Sequence, residues 1–130
     1  MNTNNTTEYL VSVLEKELDR LGVERNFVKD ISVFHCKSKE DGRCDPTFKN
    51  GKMDGVVIAI MEGKSKRASR DKIIHEAKHA QQYFQKGRLY VEQINPVYSQ
   101  LEAYAYQLKR SIEEDFKTIC RKLKDSLSRS

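Results

Sequence analysis

The sequence predicts a single domain of the α+β class over residues 1–130, with an N-terminal helix, a small mixed β-sheet, a helix carrying a His-Glu-x-x-His motif and a long C-terminal helix. Three observations predict this class. Apolar residues recur at helical spacing in both halves of the chain, and two short β-branched stretches lie between them. The chain has only 6 glycines and 2 prolines, so it has few loop residues. Its 130 residues suffice for one modest hydrophobic core.

The composition indicates a charged, soluble protein. The formal net charge of +5 raises the question of a nucleic-acid partner. Acidic residues interrupt both basic regions, and aromatic residues do not alternate with the lysines, so a solvated surface is favoured, and a DNA-associated protein stays a less favoured alternative. The longest apolar run, Val56–Met61, is too short to span a membrane, and Met1–Thr7 is polar. We therefore expect no membrane partner and a cytoplasmic location.

The first half of the chain predicts one helix and two strands. The helix begins near Thr6 with apolar residues at helical spacing, and Gly22 ends it; Glu17 is the one polar residue on its apolar face. The first strand covers Phe27–Cys36 and a loop follows over Lys37–Arg43. Asp45-Pro46 and Asn50-Gly51 are predicted turns. The second strand lies in Met53–Met61, and its unbroken apolar run favours burial on both faces, or one face against the core and the other against a bound peptide.

The second half predicts two helices. The first has Ser69 as its N-cap, runs to about Gln85 and ends at Gly87, and an extended connection follows over Arg88–Asn95. The last helix, capped by Asn95, reaches about Leu127, so that residues 111–130 form a C-terminal helical extension. Apolar residues of this extension must cover the sheet, a neighbouring molecule or a cleft. They are Ile112, Phe116, Ile119 and Leu123.

The clearest functional motif is His75-Glu76-x-x-His79. Residues four apart share one face of a helix, so both imidazoles can reach one metal ion. Glu76 is turned away from that line, where it can act as general base on a metal-activated water. The pattern predicts a zinc (Zn2+) site, and hydrolysis of peptide bonds is its most familiar use.

A catalytic zinc usually takes three protein ligands, and two residues are candidates for the third. His35 falls at the end of a strand, where a polar side chain without a metal role is the favoured interpretation. Glu102 lies on the next helix, and Ala103 and Ala105 beside it would let the two helices approach closely. We therefore predict Glu102 as the third ligand.

The three cysteines, Cys36, Cys44 and Cys120, contain no C-x-x-C pair, which excludes a four-thiolate zinc site. Cys36 and Cys44 flank a polar loop and could pair in an oxidising setting. We expect reduced thiols, and a thiolate that reaches the metal and silences it stays a less favoured alternative.

The motif His75-Glu76-x-x-His79, followed about twenty residues later by a helix with Glu102-Ala-x-Ala105, resembles the gluzincin group of zinc metallopeptidases. The small size resembles its most reduced members, the minigluzincins. The resemblance covers about residues 55–110 and implies a zincin-like fold, with His75, His79 and Glu102 as ligands and Glu76 as the general base. It also implies that the strand Gly55–Met61 is the edge that aligns the substrate.

These residues together predict a zinc endopeptidase acting on peptide or protein substrates. Tyr98 and Tyr106, one turn before and after Glu102, are candidates for stabilising the oxyanion, and Gln82 for supporting His79. The C-terminal segment leaves two further alternatives open, a latent form in which it occupies the cleft and a homodimer. The alternative function is a zinc-binding but catalytically silent regulatory or interaction module.

Overall fold

The computed structural model describes residues 3–35 and 42–129, the first three of these as backbone only. Within this part of the chain, three α-helices and a three-stranded mixed sheet form the predicted α+β fold. Their order is α1 (Thr3–Arg20), β1 (Val28–Phe34), β2 (Arg43–Lys49), β3 (Lys52–Met61), α2 (Lys66–Lys86) and α3 (Pro96–Ser128). Cys36 lies outside the described residues, and with it the alternative of a Cys36–Cys44 disulfide.

The central strand of the sheet is β3. The strand order is β1-β3-β2, with β1 parallel and β2 antiparallel to β3. The prediction that Gly55–Met61 forms the edge is therefore wrong, because both sides of β3 are paired. The edge beside the cleft described below is β2, which contains Pro46 where a turn was predicted. An edge strand tolerates proline because one side of its backbone needs no ladder hydrogen bond.

The turn predicted at Asn50-Gly51 is present, and it joins β2 to β3 as a hairpin. Their φ angles are 55° and 76°, and a two-residue hairpin turn favours positive φ at both positions. Burial then alternates along β3: Val56 and Ile58 are fully buried, whereas Val57 between them is only partly so. Of the two alternatives for this strand, burial on both faces is wrong, because α1 and α2 pack against one face of the sheet.

The core lies between α1, α2 and that face of the sheet. Its fully buried members are Leu10, Leu14 and Leu18 of α1, Val56, Ile58 and Ile60 of β3, and Ile73, Ala77 and Ala80 of α2. Gly22 ends α1 as predicted, with φ 74°. The Val23 N–H donates to the Leu18 carbonyl at 3.0 Å, the bond pattern that accompanies a left-handed residue after a helix.

The beginning of α2 lies one turn earlier than predicted. Ser65 caps the helix, since its hydroxyl accepts from the Ala68 N–H at 3.1 Å. The predicted cap, Ser69, is buried within the helix, where its hydroxyl accepts from the Gly63 N–H at 2.8 Å. Both serines satisfy local backbone donors, so the sequence alone did not distinguish them.

The connection before α3 is helical, whereas an extended segment was predicted. Residues Tyr90–Ile94 form one π-helical turn, in which the Asn95 N–H donates to the Tyr90 carbonyl at 2.8 Å. Helix α3 then begins at Pro96 as predicted, although the Asn95 side chain makes no capping hydrogen bond.

A buried group of charges ties α1 to α3. Arg110 and Glu17 are each 4% exposed, and Arg110 Nε donates to Glu17 Oε2 at 3.1 Å. The Tyr106 hydroxyl donates to the same carboxylate. Glu113 and Glu114 accept from the two terminal nitrogens of Arg110 at 2.6 and 2.7 Å. Glu17, the one polar residue on the apolar face of α1, is therefore paired with Arg110 inside the fold.

Helix α3 continues unbroken to Ser128, so residues 111–128 of the predicted extension belong to it. At about 1.5 Å per residue, its end lies about 36 Å along the axis from Tyr104. The C-terminal residues therefore lie outside the cleft that Tyr104 lines in this structure, and a latent state in which they enter the cleft stays a prediction. None of the helices in residues 3–35 and 42–129 combines the length and the apolarity that crossing a bilayer requires.

Candidate metal centre

Helix α2 turns the two motif histidines toward one point. His75 Nε2 and His79 Nε2 lie 3.1 Å apart, and the rings meet edge to face with centroids 4.7 Å apart. Two nitrogens bound to one tetrahedral zinc at 2.0–2.1 Å would be separated by about 3.3 Å. The pair therefore fits a single zinc ion with little rearrangement.

Each histidine ring is held through its other nitrogen. His75 Nδ1 lies 3.1 Å from Gln107 Oε1, and His79 Nδ1 lies 2.8 Å from Gln82 Oε1. An amide oxygen only accepts, so in the tautomer in which both Nδ1 atoms donate to these glutamines, both Nε2 atoms present lone pairs. Two lone pairs 3.1 Å apart repel each other unless a proton or a metal ion lies between them. Gln100 Oε1, 3.1 Å from His79 Nε2, is a further electron-pair donor at this point, so the arrangement suits either a proton or a metal ion.

Gln82, one turn past His79, makes the contact predicted for it. Its Nε2 donates to the Ser99 carbonyl at 2.8 Å and to Glu102 Oε1 at 2.9 Å, which fixes its oxygen toward His79. Its side chain is buried, at 3% exposure. Hydrogen bonds of this kind orient a metal-binding ring and increase its basicity.

Glu76 is buried beside the histidines at 4% exposure. The start of β2 approaches it closely: a Cβ added at Gly42 would lie 3.3 Å from Glu76 Cγ and 2.3 Å from the Ala59 carbonyl oxygen. Only glycine fits so near a neighbouring backbone. Burial, and then the Glu76 charge, raise the pKa of the Cys44 thiol next to this site. Cys44 is therefore held in its neutral form.

These side chains line an open cleft of about 390 Å³. One wall is the start of β2, the floor is α2, and the opposite wall is the start of α3. The lining residues include Gly42, Arg43, Cys44 and Asp45 from the first wall, His75, Glu76, His79 and Tyr83 from α2, and Ser99, Gln100 and Tyr104 from α3. A cleft of this size accommodates a few residues of an extended peptide.

The third predicted ligand, Glu102, does not lie beside the histidines. Its Oε1 accepts from Gln82 and lies 4.0 Å from Lys78 Nζ. Gln100 Oε1 lies 3.1 Å from His79 Nε2 instead. Within the described part of the chain, no three His, Cys, Asp or Glu side chains are grouped so as to hold one metal ion. The structure thus brings His75 and His79 together, and Gln100 rather than Glu102 lies beside them.

The predicted tyrosines also lie apart from the histidines. The Tyr106 hydroxyl is turned toward α1, where burial and the hydrogen bond to Glu17 raise its pKa. Tyr98 is 54% exposed. Sequence reasoning missed Tyr104, which lines the cleft with its ring centroid 4.4 Å from that of His75. The spacing Gln100, Tyr104, Gln107 places all three on one face of a helix and is the signal that could have found it.

The third histidine, His35, lies elsewhere, in agreement with its favoured interpretation. Its Nε2 is 2.8 Å from Thr7 Oγ1, and its Nδ1 is 3.6 Å from Glu62 Oε2. These contacts join the end of β1 to α1 and to the residue after β3.

Comparisons of the chain with protein-family models, with curated proteins and with solved structures found no match. The interpretation of the site therefore depends on its own geometry.

Proposed function

We propose that this chain is a zinc-dependent peptidase in which His75 and His79 bind the metal and Glu76 is the general base. The observation that carries the proposal is the pair of Nε2 atoms 3.1 Å apart, each on a ring whose Nδ1 is held by a glutamine oxygen. A buried carboxylate in the same open cleft supports it. We also propose the cytoplasmic location that the sequence predicts.

Zinc bound there would polarise the scissile carbonyl and lower the pKa of a water molecule. Glu76 would take a proton from the attacking water and deliver it to the leaving amine. The edge strand β2 would hold an extended substrate by main-chain hydrogen bonds along the cleft. Tyr104, rather than Tyr98 or Tyr106, would be the tyrosine closest to the developing negative charge.

A second candidate function is a zinc-binding but catalytically silent module, and the observation that favours it is Gln100. Its amide oxygen, 3.1 Å from His79 Nε2, would serve as the third ligand. Zinc in proteins is usually held by Cys, His, Asp or Glu, so a neutral amide would hold it more weakly. Whether the wild-type protein cleaves peptides distinguishes this candidate from the first.

The metal content of the purified protein tests the proposal. After equilibration with zinc and gel filtration, we expect one zinc per chain in the wild type and almost none in His75→Ala or His79→Ala. His35→Ala is the matched control and should keep its zinc, because His35 contacts Thr7 and Glu62. A wild-type protein without zinc, or zinc retained in both motif variants, would refute the proposal.

Gln100→Glu is expected to bind zinc at least about tenfold more tightly, because it adds a charged oxygen beside His79. Competition with a chromophoric chelator measures the affinity. Glu102→Gln is the control: it keeps an oxygen that can accept from Gln82, so its affinity should stay within about threefold of wild type. The opposite pattern, a large loss in Glu102→Gln and no gain in Gln100→Glu, would establish Glu102 as the ligand.

A further inference from the structure

The last part of α3 extends past its contacts with α2. These contacts reach Asp115, whose carboxylate accepts from Arg67 at 2.7 Å and from Arg70 at 3.1 Å. From Phe116 to Arg129, every side chain except the partly buried Thr118 is exposed. Residues 116–129 therefore project from the fold with their apolar side chains exposed, and a partner would bury them.

An apolar stripe runs along this end of the helix. It consists of Ile112, Phe116, Ile119, Leu123 and Leu127, which are 60%, 65%, 55%, 59% and 76% exposed. Their spacing of three and four residues places them on one helix face, with a pattern close to that of helices that pair side by side. Together they present roughly 600 Å² of apolar surface, the upper end for the largest patch on a monomer. The sequence left three alternatives for what covers these residues: the sheet, a neighbouring molecule or the cleft. Because the residues are exposed, neither the sheet nor the cleft of the same chain covers them.

We propose that this apolar stripe binds the same stripe of a second copy of the chain, with the two helices antiparallel. The inference goes beyond the proposed peptidase function and does not depend on zinc. Two stripes would bury on the order of 1,200 Å², which reaches the range of specific interfaces before the flanking residues are counted.

The charges beside the stripe specify the antiparallel orientation. The acidic residues Glu113, Glu114 and Asp115 precede a basic region that comprises Lys117, Arg121, Lys122, Lys124 and Arg129. A parallel pair would place like charges side by side. With a two-fold axis between Thr118 and Ile119, Glu113 lies opposite Lys124 of the second copy and Asp115 lies opposite Lys122 of the second copy. Both carboxylates also accept from arginines of their own chain, Glu113 from Arg110 and Asp115 from Arg67 and Arg70, so the pairs between copies would add to these bonds. One axis places both pairs opposite each other, and such pairs mainly determine orientation.

An anionic membrane is a different occupant for a basic amphipathic helix. At the beginning of the stripe, Glu113, Glu114 and Asp115 compensate the charges of Arg110, Arg67 and Arg70, so only the C-terminal part of the helix carries the excess positive charge that an anionic surface would attract. A second copy offers carboxylates opposite that positive region.

Sedimentation equilibrium of the full chain at micromolar concentrations, without added zinc, tests the proposal. We expect a dimer for the wild type and at least a 100-fold weaker dimer for Ile119→Asp, which places two carboxylates at the centre of the interface. Thr118→Asp is the matched control: it adds the same charge at the adjacent residue, on the side of the helix turned away from the stripe. It should remain dimeric, and circular dichroism should show that both variants are folded.

Reversal of one charge pair tests the orientation. Lys124→Glu should weaken the dimer by about fivefold, because it faces Glu113 of the second copy. Glu113→Lys combined with Lys124→Glu should restore it, with Glu113→Lys alone as the control for the lost bond to Arg110. A double variant no tighter than Lys124→Glu would overturn the antiparallel arrangement. A monomeric wild type would overturn the dimer, as would equal effects of the two aspartate variants. Binding of the monomer to anionic lipid vesicles, lost in Ile119→Asp, would assign the stripe to a membrane and overturn the proposal.

Discussion

Glu76→Gln is expected to lower peptide hydrolysis by about 10³-fold while the protein keeps its zinc. General-base catalysis contributes typically about 10²–10⁴-fold, and an amide of the same shape cannot accept the proton of the attacking water. Although Glu76 is only 4% exposed, the glutamine has the same shape, so the substitution should leave the packing of α2 intact. Cleavage of an unfolded protein substrate, followed with zinc content in the same samples, measures both properties.

Asp45→Asn is the matched control for this variant. Asp45 also lines the cleft, but its carboxylate is bound by Arg43 Nε at 3.1 Å. Removal of this charge should change hydrolysis only a few-fold. Equal losses in the two variants would mean that cleft charge matters rather than a specific base. A wild-type protein that binds zinc and cleaves nothing would replace the peptidase proposal with the silent module.

Arg110→Met is expected to lower the free energy of unfolding by about 3–5 kcal/mol, because it leaves the buried Glu17 carboxylate with only the half-exposed Arg20, 3.9 Å away, as a cationic partner. For a chain of this size, that loss corresponds to a melting temperature lower by roughly 10–20 °C. The double variant Glu17→Leu with Arg110→Met should recover most of the loss, since apolar residues replace both charges. Urea unfolding of the three variants and the wild type measures the differences.

The exposed ion pair between Arg67 and Asp115 provides the control for this prediction. The Arg67 side chain is 66% exposed, so Arg67→Met should cost less than about 1 kcal/mol. If Arg110→Met and Arg67→Met had the same small effect, the charges between α1 and α3 would contribute no more than a surface pair. If the double variant were as unstable as Arg110→Met alone, loss of packing rather than the unpaired charge would be the cause.

The helices and the histidine pair were predictable because both depend on local spacing. Residues four apart on a helix meet whatever surrounds them, so His75 and His79 converge as expected. Gly22 and Asn50-Gly51 gave reliable boundaries for a related reason, since their positive φ angles are strained for most other residues.

Strand β2 was not predictable from local rules. Pro46 and Asp45 are depleted in strands, and both lie in this one because it pairs with β3 on one side only. Which strand forms the edge of a sheet is decided by pairing between distant segments. The assignment of the edge to Gly55–Met61 failed for that reason.

Which residue of α3 faces His79 could not be predicted, because it depends on the rotation of α3 about its own axis. Gln100 and Glu102 are separated by about 200° around a helix, so only one of them can face His79. The buried residues Ser99 and Ala103 fix the rotation, because small side chains let α3 approach α2 closely. Ala105 seemed equally suitable in the sequence, and it is exposed. This ambiguity also led to Tyr98 and Tyr106 in place of Tyr104.

The length of α3 has a consequence for the size of substrate that a dimer would favour. Gln100 lies about 28 Å along the helix from the point between Thr118 and Ile119, so two clefts related by an axis there would be about 55 Å apart. An extended chain covers at most about 3.5 Å per residue, so a polypeptide would need at least about 16 residues to enter both. Long unfolded chains would then bind with a gain in avidity that short peptides cannot have.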